Sequence, residues 1–273
     1  MTNTPLVKID NFYLKREDQN PTGSAKDRAI PSQIINLQQL GFNKAVISST
    51  GNAAISAAHF CQLNQIELTI FLSSNVNQKK LDLLKKYSSE IILTPKPISQ
   101  AFKYSKKNQS YLLRQSTDPS ALIGYQQISV EILKDLPQIT SIFIPVGSGT
   151  TLLGISQKLP PTVKIFAVQS AANCPISKHF DKDFIEENRL ITDALSVKFI
   201  PKKDDIISVI NKSNGSGFTV QNEAILLANQ FLESKNIITS LEGALALVGY
   251  QKAINNNIDV GQFPVILLTG AKR

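Results

Sequence analysis

Cysteine is scarce: the 273 residues hold two, Cys61 and Cys174, in different segments. Such a pair supplies neither a disulfide framework nor a zinc site, and no metal ligand set is expected. Cys61, inside AISAAHFCQL, reads as a buried thiol packing as a small hydrophobe. No apolar run is long enough to span a bilayer, and the N-terminal MTNTPLVKID lacks the apolar stretch of a secretory leader. A cytoplasmic protein without a membrane partner is expected. Acidic side chains are outnumbered, 21 against 29 Lys and Arg, for a net charge of +8. A basic surface can attract nucleic acid, anionic lipid or phosphorylated metabolites. Here the lysines are scattered, and the clusters QKKLDLLKKY and KYSKKN read as solvated helix faces. No interleaving of aromatic and basic residues makes a nucleic-acid platform, so no nucleic-acid partner is expected. Low-complexity linkers and internal repeats are also missing, and no appended regulatory domain is expected.

What is present is an alternation. Hydrophobic residues make up 42% and charged residues 18%, a balance that fits a soluble globular protein of one or two domains. Short β-rich runs stand at Lys44–Ser49, Leu68–Ser73, Glu90–Thr94, Ser141–Gly147, Lys164–Gln169 and Pro264–Gly270. Amphipathic helical segments such as GNAAISAAHFCQLN and SALIGYQQISVEILKDL lie between them. The pattern predicts an α/β fold of βαβ units. The runs lack inside–outside alternation, as strands of parallel sheets covered by helices on both faces do. Joints are sought at Asp135–Thr140 and Gln39–Lys44. The late segment from Asn222 reads as two helices, the first capped by Asn222 and the second starting at Ser240 with Gly243–Ala246.

Four short pieces carry candidate chemistry. In NPTGSAKDRA, turn-forming residues lead straight into Lys26, where a helical pattern begins. The first turn of a helix is a poor place for an ammonium and a good one for a neutral amine, the form that attacks carbonyls. A surface lysine reaching into water accounts for the same placement. A Walker A loop is excluded, because Ala25 precedes and Asp27 follows the lysine. In SSTGNAAIS, Ser48–Ser56, a strand gives way to a helix through Ser, Thr and Gly, a junction that presents donors to a carboxylate or simply caps a helix. In VGSGTTLLGI, Gly147 and Gly149 allow close backbone approach to a phosphate. It is not a Rossmann turn, since the third glycine would fall at Leu152. In LLTGAKR, Thr269 ends the last run, where α/β proteins place ligand contacts.

Together and in this order, the four pieces resemble the fold-type-II pyridoxal-phosphate enzymes, which include threonine synthase, cysteine synthase, threonine dehydratase and the tryptophan synthase β chain. The resemblance spans nearly the whole chain, from TPLVKIDNFYLKREDQNPTGSAKDR to VILLTG. Its nearest look is threonine synthase, through NPTGSAKDR, SSTGNAAIS, VQSAANCPISKHF and SLEGALALVGY. The resemblance implies a two-lobed fold, a smaller lobe of residues 29–134 and a larger one of residues 1–28 and 135–273. It implies pyridoxal 5'-phosphate as cofactor, held through a Schiff base by Lys26, which then shuttles the proton. Asn52 would bond the phenolic oxygen of the cofactor. Gly147, Ser148, Gly149, Thr150 and Thr151 would cradle its phosphate, and Thr269 would bond its ring nitrogen. Ser49, Thr50, Gly51 and Asn52 would grip the carboxylate of a small amino-acid substrate. A homodimer is the family's expectation. The implied activity is a threonine-synthase-like lyase in amino-acid biosynthesis, converting O-phosphohomoserine and water to threonine and phosphate. The alternatives are cysteine-synthase-like β-replacement, serine or threonine deamination, and a non-catalytic homologue that binds the cofactor or an amino acid.

Two segments depart from the threonine-synthase pattern, the first being the phosphate loop, where Thr150 stands in place of the usual further glycine. In TDPSALIGYQQ the arginine expected to hold the substrate phosphate falls on Ala121, and the expected glutamate on Ile123. An Ala121→Arg exchange is then expected to improve use of O-phosphohomoserine. Lys15, Arg16 and Arg114 are the candidate replacements for the missing charge.

Overall fold

A computed structural model describes residues 3–49, 51–76, 78–192, 195–197 and 200–273. In chain order the elements begin β1 (Leu6–Ile9), β2 (Phe12–Arg16), α1 (Lys26–Gln39), β3 (Lys44–Ser48), α2 (Asn52–Leu63) and β4 (Glu67–Ser73). They continue with α3 (Gln78–Leu84), β5 (Glu90–Thr94), α4 (Pro97–Lys107), β6 (Tyr111–Leu112), α5 (Ser120–Asp135) and β7 (Ser141–Pro145). The rest are α6 (Thr150–Ser156), β8 (Lys164–Ser170), α7 (Lys203–Lys212), β9 (Ser216–Val220), α8 (Asn222–Ser234), α9 (Leu241–Asn255) and β10 (Pro264–Leu268).

The chain divides into two compact units. Unit 1 holds residues up to Ala25 together with Tyr125–Arg273, and unit 2 holds Lys26–Gly124. These bounds differ from the expected 29 and 134, and α5 explains the larger difference. Its second half bonds within unit 1: Ser129 Oγ donates to the Ile155 carbonyl at 2.6 Å, and Glu131 receives Lys15 Nζ at 2.5 Å.

Unit 2 is built on a parallel sheet of order β5-β4-β3-β6. Its strands are apolar on both sides because both sides are covered. Ala45, Ile47, Leu68, Ile70 and Leu72 point into one core with α1, α2 and α3. Val46 and Phe71, the residues in between, point the other way, toward Ala101 of α4. This period of two, apolar on each face, erases the alternation that marks half-exposed strands.

Unit 1 is built on a six-stranded sheet of order β1-β2-β10-β7-β8-β9, parallel except for the β1–β2 hairpin. The strands β7 and β10 are buried throughout. A core of Phe12, Phe143, Phe166 and Phe218 lies beneath α8 and α9, with the rings of Phe143 and Phe166 stacked at 4.6 Å. Two separate parallel sheets layered with helices make the α/β class plain.

The hairpin and the strands β6 and β9 are absent from the sequence-based expectation. At β9 the reason is glycine, one just before the strand and one inside it. A Cβ on Gly215 would lie 1.9 Å from the Ile165 carbonyl oxygen, and one on Gly217 would lie 2.9 Å from Ser177 Cα. Close backbone approach demands glycine there and removes the β-branched signal. Asn222 is also displaced: it is the first residue of α8, and Gln221 holds the cap position. The helix end is capped instead by Glu187, whose two carboxylate oxygens accept from Asn222 N at 3.1 and 3.0 Å. Ser240 precedes α9 as expected.

Candidate active site

Unit 2 carries Lys26, Ser49, Gly51 and Asn52. Lys26 opens α1 and is half-buried, followed by buried Asp27 and Arg28. The strand β3 runs out at Ser48, and the chain turns through Ser49 and Gly51 into α2. Ser49 Oγ accepts from Gly51 N at 3.3 Å, and the Gly51 carbonyl accepts from Ala54 N at 3.0 Å, which starts the helix. Asn52 is thus the first residue of α2, in the turn where backbone amides lack intrahelical partners. Thr50 lies outside the described residues.

Unit 1 carries Gly147–Thr151 and Thr269. The strands β7 and β10 are parallel neighbours, so the segments that follow them leave the same edge of the sheet. That edge, at the strand C-termini, is where open α/β sheets bind ligands. After β7 the chain turns at Gly149 with φ +80°, and α6 begins at Thr150. A side chain at Gly149 is excluded twice: by the left-handed backbone and by Ile206, whose Cδ1 would stand 2.0 Å from a Cβ. Ser148 Oγ and Thr150 Oγ1 share a hydrogen bond at 3.0 Å, so two hydroxyls converge on the turn.

Thr269 follows β10, and its backbone is held on both sides. Its carbonyl accepts from Ala25 N at 3.0 Å, and the Gly23 carbonyl accepts from Ala271 N at 2.8 Å. The Gly270 carbonyl accepts from Ser240 N at 2.7 Å and Thr239 Oγ1 at 2.9 Å. Residues 23–25 are therefore laid along residues 269–271, and Lys26 is the next residue in the chain.

Two contributors were not visible in the sequence. Gln169 is buried in β8; its Nε2 donates to the Val146 carbonyl at 3.0 Å and its Oε1 accepts from Ile176 N and Ser177 N at 2.7 and 2.8 Å. It fixes the residue before Gly147. Its only sequence signal is an amide inside an apolar run. Ser240 Oγ is buried and has no partner among the described residues.

Three expectations about the substrate phosphate meet the structure badly. Ala121 is fully buried at 0% exposure, so a long cation at this position would have no room, while Ile123 is exposed. Lys15 is buried against Glu131 and the Thr4 carbonyl. Arg16 spends its guanidinium on Asp18, donating from Nε at 2.9 Å and from Nη2 at 2.7 Å. Burial nonetheless raises the Asp18 carboxyl above its ordinary value, partly offset by Arg16. Among the three candidate cations, Arg114 alone is exposed. The enclosure of Ala121 therefore argues against any improvement from Ala121→Arg.

A family model described as "Pyridoxal-phosphate dependent enzyme" matches residues 1–270. The chain belongs to the pyridoxal-phosphate-dependent enzyme family. It is 27% identical over 274 residues to the L-threonine dehydratase catabolic TdcB of Staphylococcus aureus, covering 93% of this chain and 79% of that protein. Among solved structures it is similar to maize serine racemase, with a TM-score of 0.88 at 18% identity, covering 100% of this chain and 89% of the other. It is likewise similar to the processed form of threonine deaminase isoform 2 from Solanum lycopersicum, with a TM-score of 0.86 at 22% identity, covering 100% and 80%. Membership makes the chain a pyridoxal-phosphate-dependent enzyme of fold type II. The residues present fit that cofactor. The turn at Gly149 brings two hydroxyls, Ser148 Oγ and Thr150 Oγ1, together at the start of α6, as a phosphate needs, and an orphan hydroxyl, Ser240 Oγ, sits in a residue bonded to Gly270. Among the described residues no helix is long and apolar enough to cross a membrane.

Proposed function

We propose that this enzyme is a lyase that deaminates a small hydroxy amino acid, serine or threonine. The products are the corresponding 2-oxo acid and ammonia. The similarity to an L-threonine dehydratase over 93% of the chain carries this reading. Bound pyridoxal phosphate supplies an electron sink for the pair left when the substrate α-carbon loses its proton. Lys26 Nζ holds the cofactor covalently and then takes and returns that proton. The turn from Gly147 to Thr151 offers amides and hydroxyls to the cofactor phosphate. Thr269 would meet the ring nitrogen with a hydroxyl, which tempers the sink and suits elimination. Asn52 would bond the phenolic oxygen. Ser49, Thr50, Gly51 and Asn52 orient the substrate carboxylate. A homodimer belongs to the same proposal.

Threonine synthase is the second reading, supported by the SSTGNAAIS and SLEGALALVGY motifs. It needs charge-assisted donors for a phosphate leaving group. Buried Ala121 and the carboxylate partners of Lys15 and Arg16 weigh against it.

A panel of L-serine, L-threonine, O-phosphohomoserine and O-acetylserine separates these readings. A 2-oxo acid from serine or threonine is expected, and Lys26→Ala should lower its rate by about 10³-fold or more while the fold persists. Threonine formed from O-phosphohomoserine would restore the synthase reading. Replacement on O-acetylserine would favour the cysteine-synthase type. Cofactor binding without turnover of any substrate would leave a binding protein.

A further inference from the structure

Lys26 stands in a helical turn whose own backbone ladder is weakened. Pro31, inside α1, has no N–H to donate to the carbonyl four residues earlier, that of Asp27. A turn next to a proline takes part of its position from what packs against it.

The helix α5 supplies that packing at a point where no side chain intervenes. Gly124 is buried, and a Cβ added to it would stand 2.0 Å from the Arg28 carbonyl oxygen, 2.6 Å from Arg28 C and 2.9 Å from Ala29 Cα. All three atoms are backbone, so none can swing aside. A second tie lies further along α1. Asp118, just before α5, accepts from Gln33 Nε2 at 2.6 Å, and the same oxygen accepts from Tyr111 OH at 2.6 Å. These residues all belong to unit 2. The N-terminal end of α5 thus fixes α1 at two levels, one of them within three residues of Lys26.

We infer that Gly124 is a positioning residue for Lys26: its missing side chain lets α5 seat the first turn of α1, and with it the amine that holds the cofactor. This rests on the role given to Lys26 under Proposed function. A methyl group at residue 124 forces the two backbones apart by about 1 Å or more, and a displacement of that size costs a reacting group up to about 10²-fold.

The test is covalent trapping rather than turnover. Wild type, Gly124→Ala and Gly249→Ala are each mixed with pyridoxal phosphate, reduced with borohydride and mapped by peptide mass. Gly249→Ala is the control for ordinary overpacking, since its Cβ would meet the Val168 side chain in unit 1 at 2.3 Å. Gly124→Ala should slow labelling of Lys26 by about 10- to 100-fold. Gly249→Ala should label at the wild-type rate even where its melting temperature drops as far. Wild-type labelling by Gly124→Ala, or equal slowing by both variants, would overturn the inference. Wild type that takes no label at Lys26 would overturn the underlying role and the inference with it. Should Gly124→Ala not fold, Asp118→Asn weakens the second tie at constant volume. Slower Lys26 labelling is then expected, and an unchanged rate counts against the inference.

Discussion

Unit 1 and unit 2 both cover a parallel sheet on two faces, but they fill the space with different side chains. In unit 1 the ring of Phe143 stacks with those of Phe166 and Phe218 between sheet and helices. In unit 2 the main core is aliphatic, and α2 brings Ala53, Ala54, Ala57 and Ala58 against it. Large rings fill volume that nothing else can fill once they are gone. A run of alanines allows close approach of a helix and leaves no volume to spare. The two cores should therefore fail in opposite ways.

The sharpest test of that contrast is a pair of substitutions. Phe166→Ala in unit 1 should cost about 3–5 kcal/mol, the lost transfer energy plus a cavity. Ala57→Leu in unit 2, where the residue is fully buried, should cost about 1–3 kcal/mol through overpacking. Urea unfolding of both variants measures this, and a larger loss at Ala57 would reverse the comparison.

Alkaline pH offers a second handle on unit 2. Burial pushes the Cys61 thiol from its ordinary 9.0 up to about 12. Burial, with the neighbouring Asp118, lifts the Tyr111 phenol to about 12. Both folded values lie above the unfolded ones, so the fold favours the protonated forms. Their contribution is complete below about pH 9 and is lost as pH rises toward 12. The denaturant midpoint should fall across that window, and Cys61→Ala should flatten the fall. A thiolate reagent at pH 8 should leave Cys61 unmodified until the protein unfolds.

The smallest expected effect returns to unit 1. Glu187→Gln removes the charge at the α8 N-terminus but keeps an acceptor, and should cost about 0.3–1 kcal/mol, less in high salt. An unchanged midpoint at low salt would make the Glu187 contact energetically neutral.

The parts of the fold legible in the sequence are those where apolar pattern and position agree. The runs at Lys44, Leu68, Glu90, Ser141, Lys164 and Pro264 all lie on observed strands. Strand β9 was hidden because packing, not β propensity, selects its glycines. The α8 cap was hidden because it comes from Glu187, 35 residues away in the chain. At the candidate site, the lysine, the two strand-to-helix turns and the terminal threonine could be read as motifs, since each is a local sequence. Their supports could not. Gln169 acts through the Val146 carbonyl, and Gly124 through the backbone of Arg28; neither leaves a mark on its neighbours in sequence. Ala121 shows the converse, a position inferred from a motif whose side chain proves to be enclosed.

The order of the six-stranded sheet has a consequence for how the chain is assembled. Strand β10 sits between β2 and β7, and is made after both. Until residue 268 has left the ribosome, β2 and β7 have no strand to join them, and two open edges wait with unpaired amides and carbonyls. Residues 26–124 can meanwhile complete their own sheet. The short segment before Lys26 must wait longer still, because its partners are residues 269–271. During synthesis the lysine's anchor thus locks only after every strand of the larger sheet has been made. A chain cut off before residue 264 would have a finished smaller sheet and a larger one with a missing middle, the kind of species that chaperones retain and that aggregates when they do not.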